Sequence, residues 1–205
     1  MQKKFEMILM GELKFFLGIQ INQSLEATYI HQSKYTKELM KKFDMLDCKI
    51  SKTPMHSTCI LEKDEVSNKV EQKVYRGMIS SLLYLTASRP DILFSVYLCA
   101  RFQSDPREFH LTVVKRIFRY LKCTTNIGLC YRKSKEYKLV DYYDVDYVRD
   151  ILERKSTSRS YQFLGDNLIS WSSKRQSTIA LSTTEVEYIA ASRCSTQILW
   201  MKSQI

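Results

Sequence analysis

Asp144 and Asp146 stand two residues apart in a stretch, Tyr137 to Tyr147, whose aromatic and branched residues predict a β-strand. Side chains alternate across a strand, so both carboxylates project from one face. With no basic residue between them, they offer oxygen ligands to a hard cation such as Mg²⁺. Solvated acids near a strand end give the same pattern, and the spacing alone does not choose between the two. Glu185 and Glu187 form a second acidic pair. Ser182-Thr-Thr-Glu185 fits a capping box, in which Glu185 helps close the start of a helix. Glu187 has no such duty and remains a candidate ligand.

A different chemistry is suggested by the basic residues. Between Arg101 and Lys138 ten lysines and arginines face three acids, a net +7 out of the chain's +10. Lys115, Arg119 and Lys122 recur at i, i+4 and i+7, with Arg116 beside them, so one helix face carries them. Such a face suits the phosphate backbone of RNA, DNA or an RNA–DNA hybrid, which asks for charge rather than base-specific geometry. A solvated helix face has the same composition. The six cysteines contain no C-x-x-C pair and the three histidines are far apart, which argues against zinc. Scattered cysteines without a secretory signal read as reduced residues of an intracellular protein, in cytoplasm or nucleus.

The elements that must position these residues fall into two groups. Leu13 to Ile21 and Thr28 to His31 predict strands, and Gln32 to Phe43 an amphipathic helix with Tyr35, Leu39 and Phe43 on one face. Residues 44–73 form a polar connector. Val74 to Leu85 predicts a buried helix, broken at Arg89-Pro90-Asp91, where Pro90 and Asp91 suit the first turn of the next helix. A third helix starts near Asp105-Pro106, with Leu111, Val114, Ile117, Phe118 and Leu121 as its apolar stripe. The last third changes character: strands at 137–147, 159–164 and 168–171, a hairpin at Gly165-Asp-Asn167, then a long helix still running at Ile205. Hydrophobic residues make up 44% and charged residues 26% of the 205, which excludes wholesale disorder. No apolar run is long enough for a membrane span. Five glycines are few, since average usage of about 7% predicts roughly fourteen.

Several phrases together resemble the Pol polyprotein of Ty1/copia-type retrotransposons. They are Phe15-Phe-Leu-Gly-Ile-Gln-Ile21, Ser81-Leu-Leu-Tyr-Leu-Thr-Ala-Ser-Arg-Pro-Asp-Ile92, Lys115-Arg-Ile-Phe-Arg-Tyr-Leu-Lys122, Arg154-Lys-Ser-Thr-Ser158, Phe163-Leu-Gly165, Ile169-Ser-Trp171 and Leu181-Ser-Thr-Thr-Glu-Val-Glu-Tyr-Ile-Ala190. They follow the family's order over essentially the whole chain. The resemblance implies a mixed α+β or α/β fold in two parts. Residues 1–136 would be the end of the reverse transcriptase: palm up to about residue 25, then a helical thumb/connection region. Residues 137–205 would be an incomplete ribonuclease H-like sheet with one long helix. Asp144 then matches the first metal-binding aspartate, Asp146 its flanking carboxylate, and Glu187 the catalytic glutamate, placed opposite them.

The departures shape what to expect. The family's Tyr-x-Asp-Asp polymerase turn is absent, and the remaining nuclease carboxylates are expected beyond Ile205. Cys123, Asp141, Arg149 and Arg159 stand where the family usually has glycine. Any of these needing a left-handed backbone would cost roughly 1 kcal/mol or more. The expectation is therefore a remnant of an RNA-copying and hybrid-cleaving enzyme with no polymerase activity, negligible nuclease activity and Mg²⁺ binding no tighter than millimolar. Its rival is a non-catalytic nucleic-acid-binding module built on segment 101–138.

Overall fold

The computed structural model describes residues 12–56, 58–64, 66–133, 137–150 and 155–204. Residues 1–11, the first part of the segment read as palm, lie outside them, as do Lys135 and Arg154. The described chain is mixed α/β, with five helices and two antiparallel sheets.

The first sheet has the order β1 (Phe15–Phe16), β2 (Ile19–Gln23), β3 (Ala27–His31) and β4 (Leu129–Arg132). The single strand expected at 13–21 is a hairpin instead. Leu17 and Gly18 both take positive φ, 47° and 76°, the two-residue geometry that suits the twist of paired strands. β4 was not expected at all; four residues with two polar ones give no clear alternation, and its partner β3 lies about a hundred positions away. Gly128 admits it: a Cβ there would stand 2.3 Å from the Ile30 carbonyl oxygen.

Four helices pack beside this sheet: α1 (Ser33–Lys42), α2 (Gln72–Leu85), α3 (Pro90–Ala100) and α4 (Glu108–Cys123). Their shared core is apolar and includes Leu39, Ile79, Leu82, Ile92, Val96, Val114, Ile117, Phe118 and Leu121. Tyr75 donates from its hydroxyl to the Cys99 carbonyl at 2.8 Å, fixing α2 to α3. Arg89, expected only as a helix break, is 1% exposed and clamps α3 to α4. It donates two hydrogen bonds to Asp91, at 2.9 and 2.7 Å, and two to Thr124, both at 2.8 Å. His110 is buried and stacked on Phe102; its Nδ1 accepts from the Arg107 amide and its Nε2 meets the Glu62 carbonyl, so it holds the connector.

The second sheet has the order β5 (Leu139–Asp150), β6 (Lys155–Leu164) and β7 (Asn167–Arg175). Gly165, at φ 60°, makes the tight turn between β6 and β7. The helix α5 (Thr183–Lys202) follows and ends at Lys202, short of the expected run to Ile205. The expected capping box forms in its first half: the Glu185 amide donates to Ser182 Oγ at 3.2 Å, whereas the Glu185 carboxylate accepts from the amide of Leu181, one residue before the N-cap, at 2.8 Å. Cys123, Asp141 and Arg159 sit in ordinary helix or strand backbone; among the described residues the non-glycine positions with positive φ are Leu17 and Asp44. The strain feared from the missing glycines does not arise there.

Candidate functional site

The pleat of the second sheet sorts its side chains. In the β5–β6 register Asp141 faces Gln162, Asp144 faces Arg159 and Asp146 faces Thr157. Even-numbered β5 residues therefore share a face with Thr157, Arg159, Tyr161 and their β7 partners Arg175, Ser173 and Trp171. That face lies on the helical layer. Trp171 Nε1 donates to the Thr86 carbonyl at 3.0 Å, Arg101 donates to Thr157 Oγ1 at 3.0 Å, and the Arg159 guanidinium stacks 4.4 Å from the centre of Phe94. The opposite face carries Asp141, Gln162 and Ser158, and α5 covers it with Val186, Ala190 and Cys194. Gln162 donates to Asp141 at 2.9 Å, and Gln176 donates to both Ser158 and the Val186 carbonyl. Burial, followed by the Asp141 carboxylate beside it, pushes the Cys194 thiol up to about 12.

This sorting separates the expected carboxylates. Asp144 and Asp146 do share a face, but Glu187 is an exposed residue of the helix on the other side of the sheet. Among the described residues no group of three or more His, Cys, Asp or Glu side chains is placed to hold a metal ion. The neighbour that Asp144 and Asp146 have in common is a cation already: Arg159 Nη2 lies 2.8 Å from Asp144 Oδ2 and 3.0 Å from Asp146 Oδ2.

The basic face of α4 is also partly spoken for. The connector crosses it, with Lys122 Nζ donating to the Cys48 carbonyl at 2.8 Å and Arg116 to Thr53 Oγ1 at 3.0 Å. The Ser51 amide donates to the Arg119 carbonyl, and Lys115 is left exposed. A second basic surface, unmarked by any spacing in the sequence, lies at the junction of the two regions. A cleft of about 710 Å³ between the connector, α3, β7 and α5 is lined by Lys63, Arg101, Lys174, Arg175 and Arg193 against one acid, Asp105. Asp105 is held below the usual carboxylate range by its hydrogen bond to Arg107. Tyr97, 42% exposed, presents its ring to the same cleft. These residues come from positions 63 to 193, so only the tertiary fold gathers them.

Known proteins resemble this chain along most of its length. The family described as reverse transcriptase (RNA-dependent DNA polymerase) matches residues 1–57. The retrovirus-related Pol polyprotein from transposon RE1 of Arabidopsis thaliana is 34% identical over 192 residues, 94% of this chain and 13% of that protein. An uncharacterized mitochondrial protein of the same plant is 32% identical over 196 residues, 96% of this chain and 81% of its own length. The chain belongs to the copia-type retrotransposon Pol family. The Pol polyprotein from transposon TNT 1-94 of Nicotiana tabacum is similarly 34% identical over 98% of this chain, which spans 16% of it. This Pol-family chain thus covers about an eighth to a sixth of the length of the polyproteins it matches. No solved structure matches it. No described helix is long and apolar enough to cross a membrane.

Proposed function

We propose that this chain is a non-catalytic remnant of a Pol reverse transcriptase/ribonuclease H that binds nucleic acid without cutting it. Residues from about 26 to 136 stand for the thumb/connection region, after the end of the palm, and residues 137–205 for the opening sheet and helix of a ribonuclease H-like domain. The order of three antiparallel strands followed by a long helix supports that second assignment. Two-metal hydrolysis needs several carboxylates converging on the scissile phosphate. The observation that carries the reading is that Asp144 and Asp146 converge on Arg159, while Glu187 lies on the far side of the sheet. This donor set does not fit Mg²⁺, and no step is assigned to one.

For the binding surface, the junction cleft is better placed than the α4 face. Its exposed Lys174 and Arg193 offer phosphate contacts and Tyr97 a stacking ring, a combination that suits single strands or hybrids. Replacing Lys174 and Arg193 by Ala should weaken binding of an RNA–DNA hybrid and reduce the log–log salt slope by roughly 2, at about 0.9 per lost phosphate contact. The Lys115, Arg119 and Lys122 triple alanine variant should change the slope less. Fluorescence titration over a salt series measures both. A larger effect from the triple variant would return the binding surface to α4.

A further inference from the structure

We propose that the Arg159 guanidinium is the resident cation of the Asp144–Asp146 pair, holding both carboxylates where a divalent ion would otherwise draw them together. Its Nη2 meets one oxygen of each carboxylate, at 2.8 and 3.0 Å, so a single nitrogen occupies the point on which both side chains converge. The strand register sets this up, because Arg159 is the residue directly opposite Asp144. Glycine, the residue that the family resemblance puts at 159, would leave the two acids without that counter-charge.

The two arms of the bridge differ in weight. Asp144 has a side chain 63% exposed, and an ion pair of that kind contributes little. The Asp146 and Arg159 side chains are each 23% exposed, so this arm is only weakly screened. The guanidinium is held from behind as well: it lies 4.4 Å from the Phe94 ring centre, and its Nε is buried with no hydrogen-bond partner. A planar, weakly hydrated cation suits that position between a ring and two acids. Mg²⁺ does not, since it keeps most of its water and demands near-octahedral oxygen ligands. To bind, an ion would have to expel Arg159 from the seam between β6 and α3. The same residue thereby does two things: it neutralises the acidic pair and ties the second sheet to the helical layer.

The test is Mn²⁺ binding to the full chain, read by the electron paramagnetic resonance signal of the free ion. The wild-type chain should show no Mn²⁺ site that Asp144→Asn removes. Arg159→Gln should create one, raising Mn²⁺ affinity by about tenfold or more, because the positive charge between the two carboxylates has been taken away. Asp146→Asn in that background should abolish it. Arg159→Lys keeps the charge and should leave the chain without a site, a control for disruption of the fold. A wild-type Mn²⁺ site lost on Asp144→Asn would overturn the proposal. So would Arg159→Gln that melts like the wild type yet gains no Mn²⁺, or an Arg159→Lys chain that gains as much as Arg159→Gln.

Discussion

The helical region and the second sheet are held together by different forces. Residues 12–133 enclose an apolar core in which Ile79, Leu82, Ile117, Phe118 and Leu121 are fully buried. The second sheet buries Ser156, Thr157, Gln162, Ser173 and Gln176, and α5 adds only the smaller Val186, Ala190 and Cys194. Its order comes from hydrogen bonds and ions: Gln162 to Asp141, Gln176 to α5, Trp171 to Thr86, Arg159 to the acidic pair. Apolar packing is non-directional and stabilises a helical layer by itself. A polar interior is favourable only while each group keeps its partner, so the sheet depends on α5 and on the helices beneath it.

Truncation of a core side chain should break the helical region most. Phe118→Ala removes a fully buried ring that packs edge-on against Phe43 and should cost about 3–5 kcal/mol, measured by urea unfolding. In the sheet, Gln162→Ala removes the donor to a carboxylate on the α5 face and should cost about 1–3 kcal/mol. Equal losses at the two sites would mean that the regions do not differ as described.

Smaller still is an effect of alkali. The Cys194 thiol titrates near 12 in the folded chain against 9.0 unfolded, so the folded state keeps its proton over a higher range. A raised value gives stability that is complete below about 9 and is lost as the pH climbs towards 12. Cys194→Ala should make this alkaline loss shallower in melts followed by Trp171 fluorescence. Buried Cys99 and Tyr75, also raised by burial, should leave a residual loss in the helical region. An identical alkaline profile for Cys194→Ala would remove the Cys194–Asp141 contact from the account.

The same contrast explains what could be read from the amino-acid sequence. Helical periodicity marked Leu39, Val114, Ile117, Phe118 and Leu121, and these are core residues. The three strands and capped helix of the last third were legible from their turn and cap residues, although β6 and β7 run longer than expected, to Lys155 and Arg175. β4 was missed because its pairing is long-range, and the hairpin at Leu17-Gly18 because a leucine in a left-handed turn gives no signal. At the candidate site, period-two alternation correctly put Asp144 and Asp146 on one face. Which face α5 would cover depends on packing that no local pattern encodes, so the distance of Glu187 from them was not legible. The basic cleft was equally hidden, being drawn from three elements and a connector. The bonds of Lys122 and Arg116 to the connector were not legible either, because the connector is irregular.

Incubating the full chain with a labelled RNA–DNA hybrid at millimolar Mg²⁺, and following retention and cleavage on one gel, tests the account most directly. The hybrid should be retained by the chain and remain intact, with the same outcome for Asp144→Asn. Mg²⁺-dependent cleavage by the wild-type chain that disappears in Asp144→Asn would contradict it.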